Sequence, residues 1–422
     1  MPFQEKLRPH YYALLKQIEH RKGEKQNLSW LFYSPSPMPF KPDYFEIVRF
    51  GRTPFERRIG PLLSLLMPQL WEKLVWRKIK KAIMSTVEKK YLKDILSQYP
   101  APQASVKDAF IKTIHGHFGK NLAILKQATF TEIYGYINQC LKEFSTVIGA
   151  HTDTYKPHKL SHNVFCLRIY QAIKPIVLTH THVFELACFL SIRANWIDCV
   201  EENIEPFLHA YLEEASLLLE EREPITFNQL QNPYFHLHSF KDLLSSPKVI
   251  LFESDNSGEI VLDLLFIEWM LLNKHKVFIA SKTSPVLNDI TFQDVKTLLT
   301  HKAFSDLQPY LDAGTLQLID THSQVSGKHL ATVSESYKQA YKKSDLLILK
   351  GQGNFQSMPM GEIKMGKFYP YPYKKPIVYM MGLKAPFISQ CFESVLKKGP
   401  LPKLQFPFLY YFDAKNKNTH PR

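Results

Sequence analysis

Five short apolar runs, each followed by a segment long enough for a helix, constrain this chain more than any other feature. They lie at 248–252, 276–280, 316–320, 346–349 and 376–381. A run of this length bounded by polar turns fits a strand buried on both faces. The intervening segments can hold crossover helices, which makes neighbouring strands parallel and puts helices on both sides of the sheet. The expected fold class is therefore α/β, with a mainly parallel sheet in a three-layer α/β/α domain over 241–422. Upstream, strand-like runs are few and helical spacing dominates, notably at 11–21, 61–93, 131–144, 183–200 and 205–221. The texture changes around 223–247, so residues 1–240 read as a large α-helical N-terminal region.

The ends of these strands carry the chemistry. After the first comes Phe252-Glu253-Ser254-Asp255-Asn256-Ser257-Gly258-Glu259, and then a breaker-free helical pattern over 260–272. Such a strand-turn-helix unit places Asp255 and Asn256 at the carboxyl edge of the sheet, where open α/β proteins hold ligands. Gly258 supplies backbone freedom in the turn. The N–H groups of Ser257, Gly258, Glu259 and Ile260 would open the helix and form a seat for an anion. Asp255 and Asn256 offer hard oxygen donors, suited to Mg²⁺ or Mn²⁺. An Asp-Asn pair before a helix is also a common helix cap, so this turn needs support from the other strand ends.

That support is present. The second strand leads into Ser281-Lys282-Thr283-Ser284-Pro285-Val286-Leu287-Asn288-Asp289, which adds a carboxylate at Asp289. The fourth leads into Lys350-Gly351-Gln352-Gly353-Asn354-Phe355, a lysine followed by a loop whose glycines allow close backbone approach. Lys384 stands after the fifth. Carboxylates with an amide can hold a cation, while lysines and loop amides can hold phosphate oxygens.

The rest of the composition narrows the alternatives. The 422 residues include five cysteines, an odd number with no Cys-x-x-Cys pair, which argues for reduced thiols, against a zinc ribbon, and for a cytoplasmic setting. The N-terminus shows no signal-peptide pattern, and no apolar run is long enough to span a bilayer, so no membrane partner is expected. A net charge of +14 raises nucleic acid or an anionic membrane surface as a partner. The charge is spread, however, and no nucleic-acid-binding signature accompanies it, which favours solvated surface. The segment Val325-Ser326-Gly327-Lys328 lacks the earlier glycine of a phosphate loop. The pairs His158/His162 and His180/His182 lack the supporting spacing of a zinc site.

Taken together, the ordered segments resemble the metal-dependent damage-control phosphatases, the family long known as domain of unknown function 89. The match lies in Asp255-Asn256-Ser257-Gly258-Glu259 with Asp263, in Pro285 through Thr291 with Asp294, and in Ser344-Asp345 through Lys350-Gly351-Gln352-Gly353-Asn354-Phe355. Ala194-Asn195-Trp196-Ile197-Asp198 resembles an Asn-x-x-Asp helix motif of the same family. The resemblance implies hydrolysis of small phosphomonoesters, such as sugar phosphates or damaged phosphometabolites, in metabolite repair. It implies a divalent ion on Asp255, Asn256 and Asp289, with Mg²⁺ or Mn²⁺ expected and Co²⁺ or Ni²⁺ as alternatives. Asp255 and Lys350 would be catalytic. Ser257, Gly258, Glu259, Gly351, Asn354, Lys384 and Asn195 would surround the substrate. Asp263, two turns into its helix, would act only indirectly on the ion. Gln356 stands where the family commonly has Glu. That departure and the net charge motivate the alternative, a non-catalytic binding protein on the same fold. A carboxyl methyltransferase ranks lower, because no glycine fingerprint follows the first strand.

Overall fold

The computed structural model describes residues 153, 155–199, 235–325, 327–328, 333–358, 360–364, 367–370, 373–382, 407–413 and 415. The helices expected at 11–21, 61–93, 131–144 and 205–221, and the candidate Lys384, lie outside the described residues. The chain falls into two compact units. One is Met1–Pro39 with Phe45–Tyr155 and His329–Thr332; the other is Phe40–Tyr44 with Lys156–Lys328 and Val333–Arg422. The second unit thus begins far upstream of residue 241, and the helices over 156–199 belong with the sheet.

In chain order the second unit runs α1 (Lys156–Thr179), α2 (Val183–Ala194), a 3₁₀ turn (Asn195–Cys199) and α3 (Leu237–Leu243). The sheet then begins with β1 (Val249–Glu253), α4 (Glu259–Leu272), β2 (Lys276–Ser281) and α5 (Phe292–Leu298). A second 3₁₀ turn (Lys302–Leu307) leads to α6 (Gln308–Asp312), β3 (Leu316–Asp320), α7 (Glu335–Lys343), β4 (Leu346–Lys350) and α8 (Gly351–Ser357). The remaining described elements are the hairpin β5 (Gly361–Lys364) and β6 (Lys367–Pro370), then β7 (Ile377–Gly382) and β8 (Pro407–Phe412).

Six strands form one sheet in the order β3-β2-β1-β4-β7-β8, parallel except for the β7–β8 pair. The parallel pairs are in register through Ile250↔Val277 and Ile250↔Leu346. The interior strands are apolar on both faces: β4, Leu-Leu-Ile-Leu-Lys, is buried along its whole length. The edge strand β3 is fully buried only at Leu316 and Ile319 and keeps Gln317 and Asp320 in its sequence, as an edge tolerates. The antiparallel β8 begins at Pro407, one of the few strand positions where proline removes no needed donor.

Helix α4 is buried along nearly its whole length, its charged residues Glu259, Asp263 and Glu268 included. Its residues pack on β2 and on α1 and α2, and α2 itself also packs on β7 and β8. The core therefore runs from Ile169, Tyr170 and Phe184 through Ile260, Leu264 and Phe266 to Ile250, Ile279 and Ile348. On α7, Tyr337, Ala340 and Tyr341 form the buried stripe, Ser334 caps the N-terminus, and Lys342 and Lys343 close the last turn. That basic pair thus sits where the helix dipole favours it. Among the described residues no helix is long and apolar enough to cross a membrane.

Candidate functional site

From β1 the strand order runs outward in both directions, to β2 and β3 on one side and to β4 and β7 on the other. The switch point therefore lies between the carboxyl ends of β1 and β4, the usual place for a crevice in such sheets. Asp255 follows β1 there, and Lys350 ends β4. The β1 turn is joined to the segment after β2 by its backbone. Asn256 and Asp289 form an antiparallel bridge, the Ser257 N–H donates to Asn288 O at 2.9 Å, and the Ile290 N–H donates to Asp255 O at 2.9 Å. These bonds bring Asp255, Asn256 and Asp289 to one place from two segments 33 residues apart in sequence, as the bridge Asn256↔Asp289 shows.

The same bonds change the reading of the turn as an anion seat. Ser257 N–H is committed to Asn288 O, Gly258 N–H donates to Asn163 Oδ1 at 2.6 Å, and Ile260 N–H donates to Asn256 O at 3.2 Å. Helix α1 explains the closure: a Cβ on Gly258, whose φ is +77°, would lie 2.9 Å from His162 Cβ. The turn is plugged by α1, so Ser257 and Gly258 hold the scaffold.

Asp255 is clamped by two amides. Asn195 Nδ2 donates to Asp255 Oδ2 at 3.0 Å and to Glu259 Oε2 at 2.8 Å, and Asn256 Nδ2 donates to the same two oxygens at 2.8 and 2.9 Å. Asn195 Oδ1 in turn accepts from Gly382 N at 3.0 Å, which ties the 3₁₀ turn to the end of β7. With its NH₂ committed, Asn256 has its amide oxygen to offer a cation. Glu259 is wholly buried and serves this clamp.

Lys350 occupies a different position from the one expected of a phosphate contact. Its ammonium is fully buried and lies 2.7 Å from Asp263 Oδ1, 3.0 Å from Glu259 Oε1, and 2.5 and 2.9 Å from Ser191 O and Oγ. Four acceptors surround three N–H bonds, so the group is saturated. Ser191 Oγ also donates to Asp263 Oδ1 at 2.5 Å. Burial pushes the Asp263 carboxyl up to about 7, with Lys350 opposing and Glu259 adding to the rise. Asp263 is thus the direct partner of Lys350, a closer role than its helix position suggested.

A second line of charge runs along the other side. Lys282, the residue after β2, places Nζ 2.9 Å from Asp289 Oδ2. Burial disfavours its charge, but Asp289, Asp255 and Glu253 outweigh that and raise its pKa. Glu253, the last residue of β1, is paired with Lys328 and accepts from Tyr337 OH at 2.5 Å. Burial outweighs Glu253 at Lys328 and lowers its pKa. Gly327, at φ +73°, lets this loop reach the pair: a Cβ there would fall 2.1 Å from both Gly353 O and Ser357 Oγ.

Gly351 is held by a similar constraint. At φ +75°, a Cβ on it would fall 1.8 Å from Asp255 Oδ2. Asn354 turns its NH₂ to Ser254 O at 3.0 Å and Lys350 O at 2.9 Å, fastening α8 to β1. The sequence reading missed Lys282, Glu253, Lys328, Tyr337 and Ser191. Lys282 carried a signal, since it follows a strand as Ser254 and Asp255 do. Ser191 carried none.

The family model for the damage-control phosphatase ARMT1-like domain matches residues 65–395, well over half of the chain. The chain belongs to this family. It is 27% identical over 229 residues to damage-control phosphatase PH1575 of Pyrococcus horikoshii, covering 52% of this chain and 63% of that protein. A damage-control phosphatase of Archaeoglobus fulgidus is 23% identical over 238 residues, covering 55% of this chain and 73% of the relative. The uncharacterized protein MJ0202 of Methanocaldococcus jannaschii is 29% identical over 150 residues, 35% of this chain and 45% of that one. The chain thus spans less than two thirds of the first and last of these. The crystal structure of the DUF89 family protein from P. horikoshii superposes with a TM-score of 0.54 at 20% identity, over 78% of this chain and 95% of that one. That likeness establishes the shared α/β fold.

Proposed function

We propose that this protein is a metal-dependent phosphatase acting on small phosphomonoesters, with a divalent ion such as Mg²⁺ or Mn²⁺ on Asp255, Asn256 and Asp289. The observation that carries the reading is the charge at the switch point. Five buried carboxylates (Glu253, Asp255, Glu259, Asp263 and Asp289) meet three buried ammonium groups (Lys282, Lys328 and Lys350). The formal excess is two negative charges, and it falls toward one when Asp263 holds its proton. Buried charge of one sign needs a counter-charge, and a divalent cation answers it. Among the described residues no cluster of three or more His, Cys, Asp or Glu side chains forms a metal site. The proposed donors are two carboxylates and an amide, all hard oxygens, as Mg²⁺ and Mn²⁺ prefer. The names of the P. horikoshii and A. fulgidus relatives support the phosphatase activity.

When bound, the ion supplies positive charge to the phosphoryl oxygens, usually the largest contribution in such chemistry. The chain's own residues hold and orient. Asn195 and Asn256 fix the Asp255 carboxylate, Glu259 anchors both amides, and Gly351 leaves room for that carboxylate beside the β4 end. The proposed substrates are phosphometabolites that are damaged or unwanted, sugar phosphates among them. The test is hydrolysis of a generic aryl phosphate across divalent metals, with and without chelator. Turnover that appears with metal and disappears with chelator supports the reading. Turnover that survives exhaustive chelation overturns the metal assignment.

A further inference from the structure

Of the three buried lysines at the switch point, two are paired with carboxylates outside the set assigned above to the cation. Lys350 is surrounded by Ser191, Glu259 and Asp263, and Lys328 is paired with Glu253 at the base of its loop. Lys282 differs. Its one side-chain partner among the described residues is Asp289, and the field that holds its charge comes from Asp289, Asp255 and Glu253. Two of these three carboxylates are the ones assigned above to the cation. A lysine and a metal ion would then draw on the same oxygens.

Resting on that metal assignment, we propose that Lys282 competes with the divalent cation for Asp289 and, once displaced, becomes the ligand of the substrate's phosphoryl group. The two roles follow from one geometry. The Lys282 backbone is fixed: its carbonyl accepts from Phe292 N at 2.7 Å, and it bridges Thr291, whose side chain caps α5. Only the side chain is able to change partner, and lysine has the rotatable bonds for it. A cation on Asp289 cancels the charge that holds the ammonium. Glu253 offers no substitute, because Lys328 and Tyr337 already engage both of its oxygens. A buried ammonium without a counter-charge is costly, so it needs another anion at the same spot. A phosphoryl group bound beside the cation supplies one. Cation and phosphate binding are then linked through Lys282, and linkage of this kind commonly amounts to about 5- to 150-fold in affinity.

The experiment is calorimetric titration of Mn²⁺, and of inorganic phosphate with and without Mn²⁺, into wild type and Lys282→Met. The proposal expects Mn²⁺ to bind the variant about tenfold tighter, because a competitor has gone. Phosphate should bind the Mn²⁺-loaded variant about tenfold more weakly than the loaded wild type. A purely structural lysine gives the opposite sign for the metal, since losing it would loosen Asp289. Should Lys282→Met not fold, acylation of wild-type lysines read by mass spectrometry decides the matter. Lys282 is then expected to label faster with Mn²⁺ than without, and phosphate is expected to protect it. Mn²⁺ binding that is unchanged or weaker in the variant overturns the proposal, as does unchanged phosphate affinity or metal-independent labelling. Wild type that takes up no Mn²⁺ at all overturns the metal reading itself, and this proposal with it.

Discussion

Replacing Lys350 by Met separates a scaffold lysine from a phosphate contact. Methionine nearly matches the volume, so the change removes charge without opening a large cavity. What remains is Glu259 Oε1, formerly 3.0 Å from the ammonium, and Asp263 Oδ1, formerly 2.7 Å away, both in residues with no solvent exposure. Removing one partner of a buried pair costs about 3–5 kcal/mol. For a unit of this size that is a fall in melting temperature on the order of 10 °C. The loss should depend on pH, with a sign fixed by Asp263. Its carboxyl is already raised to about 7 by burial against the opposition of Lys350, and removing that opposition raises it further. A folded-state pKa above the unfolded one gives stability that is full below the unfolded value and lost as pH rises through the folded value. The variant should therefore lose more stability at pH 8 than at pH 6, where Asp263 holds its proton. Adding Asp263→Asn should recover about 1–2 kcal/mol at pH 8 and flatten the pH dependence. The assay is thermal unfolding at several pH values, with turnover measured alongside. A variant with the wild-type melting temperature but turnover lower by about 10²–10³ would instead mark Lys350 as a contact in the reaction, and the scaffold assignment would be refuted.

Asp255→Asn keeps an acceptor for the Asn195 and Asn256 amides while removing a charge, so stability should change by less than about 1 kcal/mol. Metal affinity in calorimetry should fall by more than about tenfold, and an unchanged affinity would remove Asp255 from the donor set. Gly351→Ala meets Asp255 directly, with a Cβ 1.8 Å from Oδ2 at φ +75°. It should cost about 1–2 kcal/mol in backbone strain and about 1–3 kcal/mol in overpacking, and metal affinity should fall with the melting temperature. Lys328→Met should cost about 3–5 kcal/mol by leaving Glu253 buried and unneutralised. The double variant with Glu253→Gln should recover most of that loss in chemical denaturation, and a double variant no better than the single would argue against a dedicated pair.

The sheet was legible because its signal is local. An apolar run such as Leu346-Leu347-Ile348-Leu349 is its own announcement, and the strands begin and end within a residue or so of the expected positions. Helix α4 was legible for the same reason, starting at Glu259 where 260 was expected. The antiparallel β8 was not foreseen, since Pro407 at its start reads as a breaker unless the strand is already known to lie at an edge. The helix expected at 183–200 ends at Ala194 and tightens into 3₁₀, which turns Asn195 toward Asp255. Nothing in its spacing shows that turn.

The site was legible in its residues but only partly in its roles, and the difference has a physical cause. Position at a strand end is a property of sequence, and it put Asp255, Asn256, Asp289 and Lys350 on one edge of the sheet, whereas Asn195, at the end of α2, came only from the family resemblance. Which way a charge faces depends on what else is buried nearby. Lys350 was read as facing ligand because it ends β4, yet Asp263 and Ser191 sit across from it on α4 and α2, 87 and 159 residues away in the chain. A charge so far inside is held by whichever opposite charges the packing delivers, because the penalty for leaving it unpaired exceeds any local preference. The lysine left facing the carboxylates proposed for the cation is then Lys282. With Lys350 withdrawn into the scaffold and Lys328 paired to Glu253, it is the switch-point ammonium that the proposal assigns to the phosphoryl group.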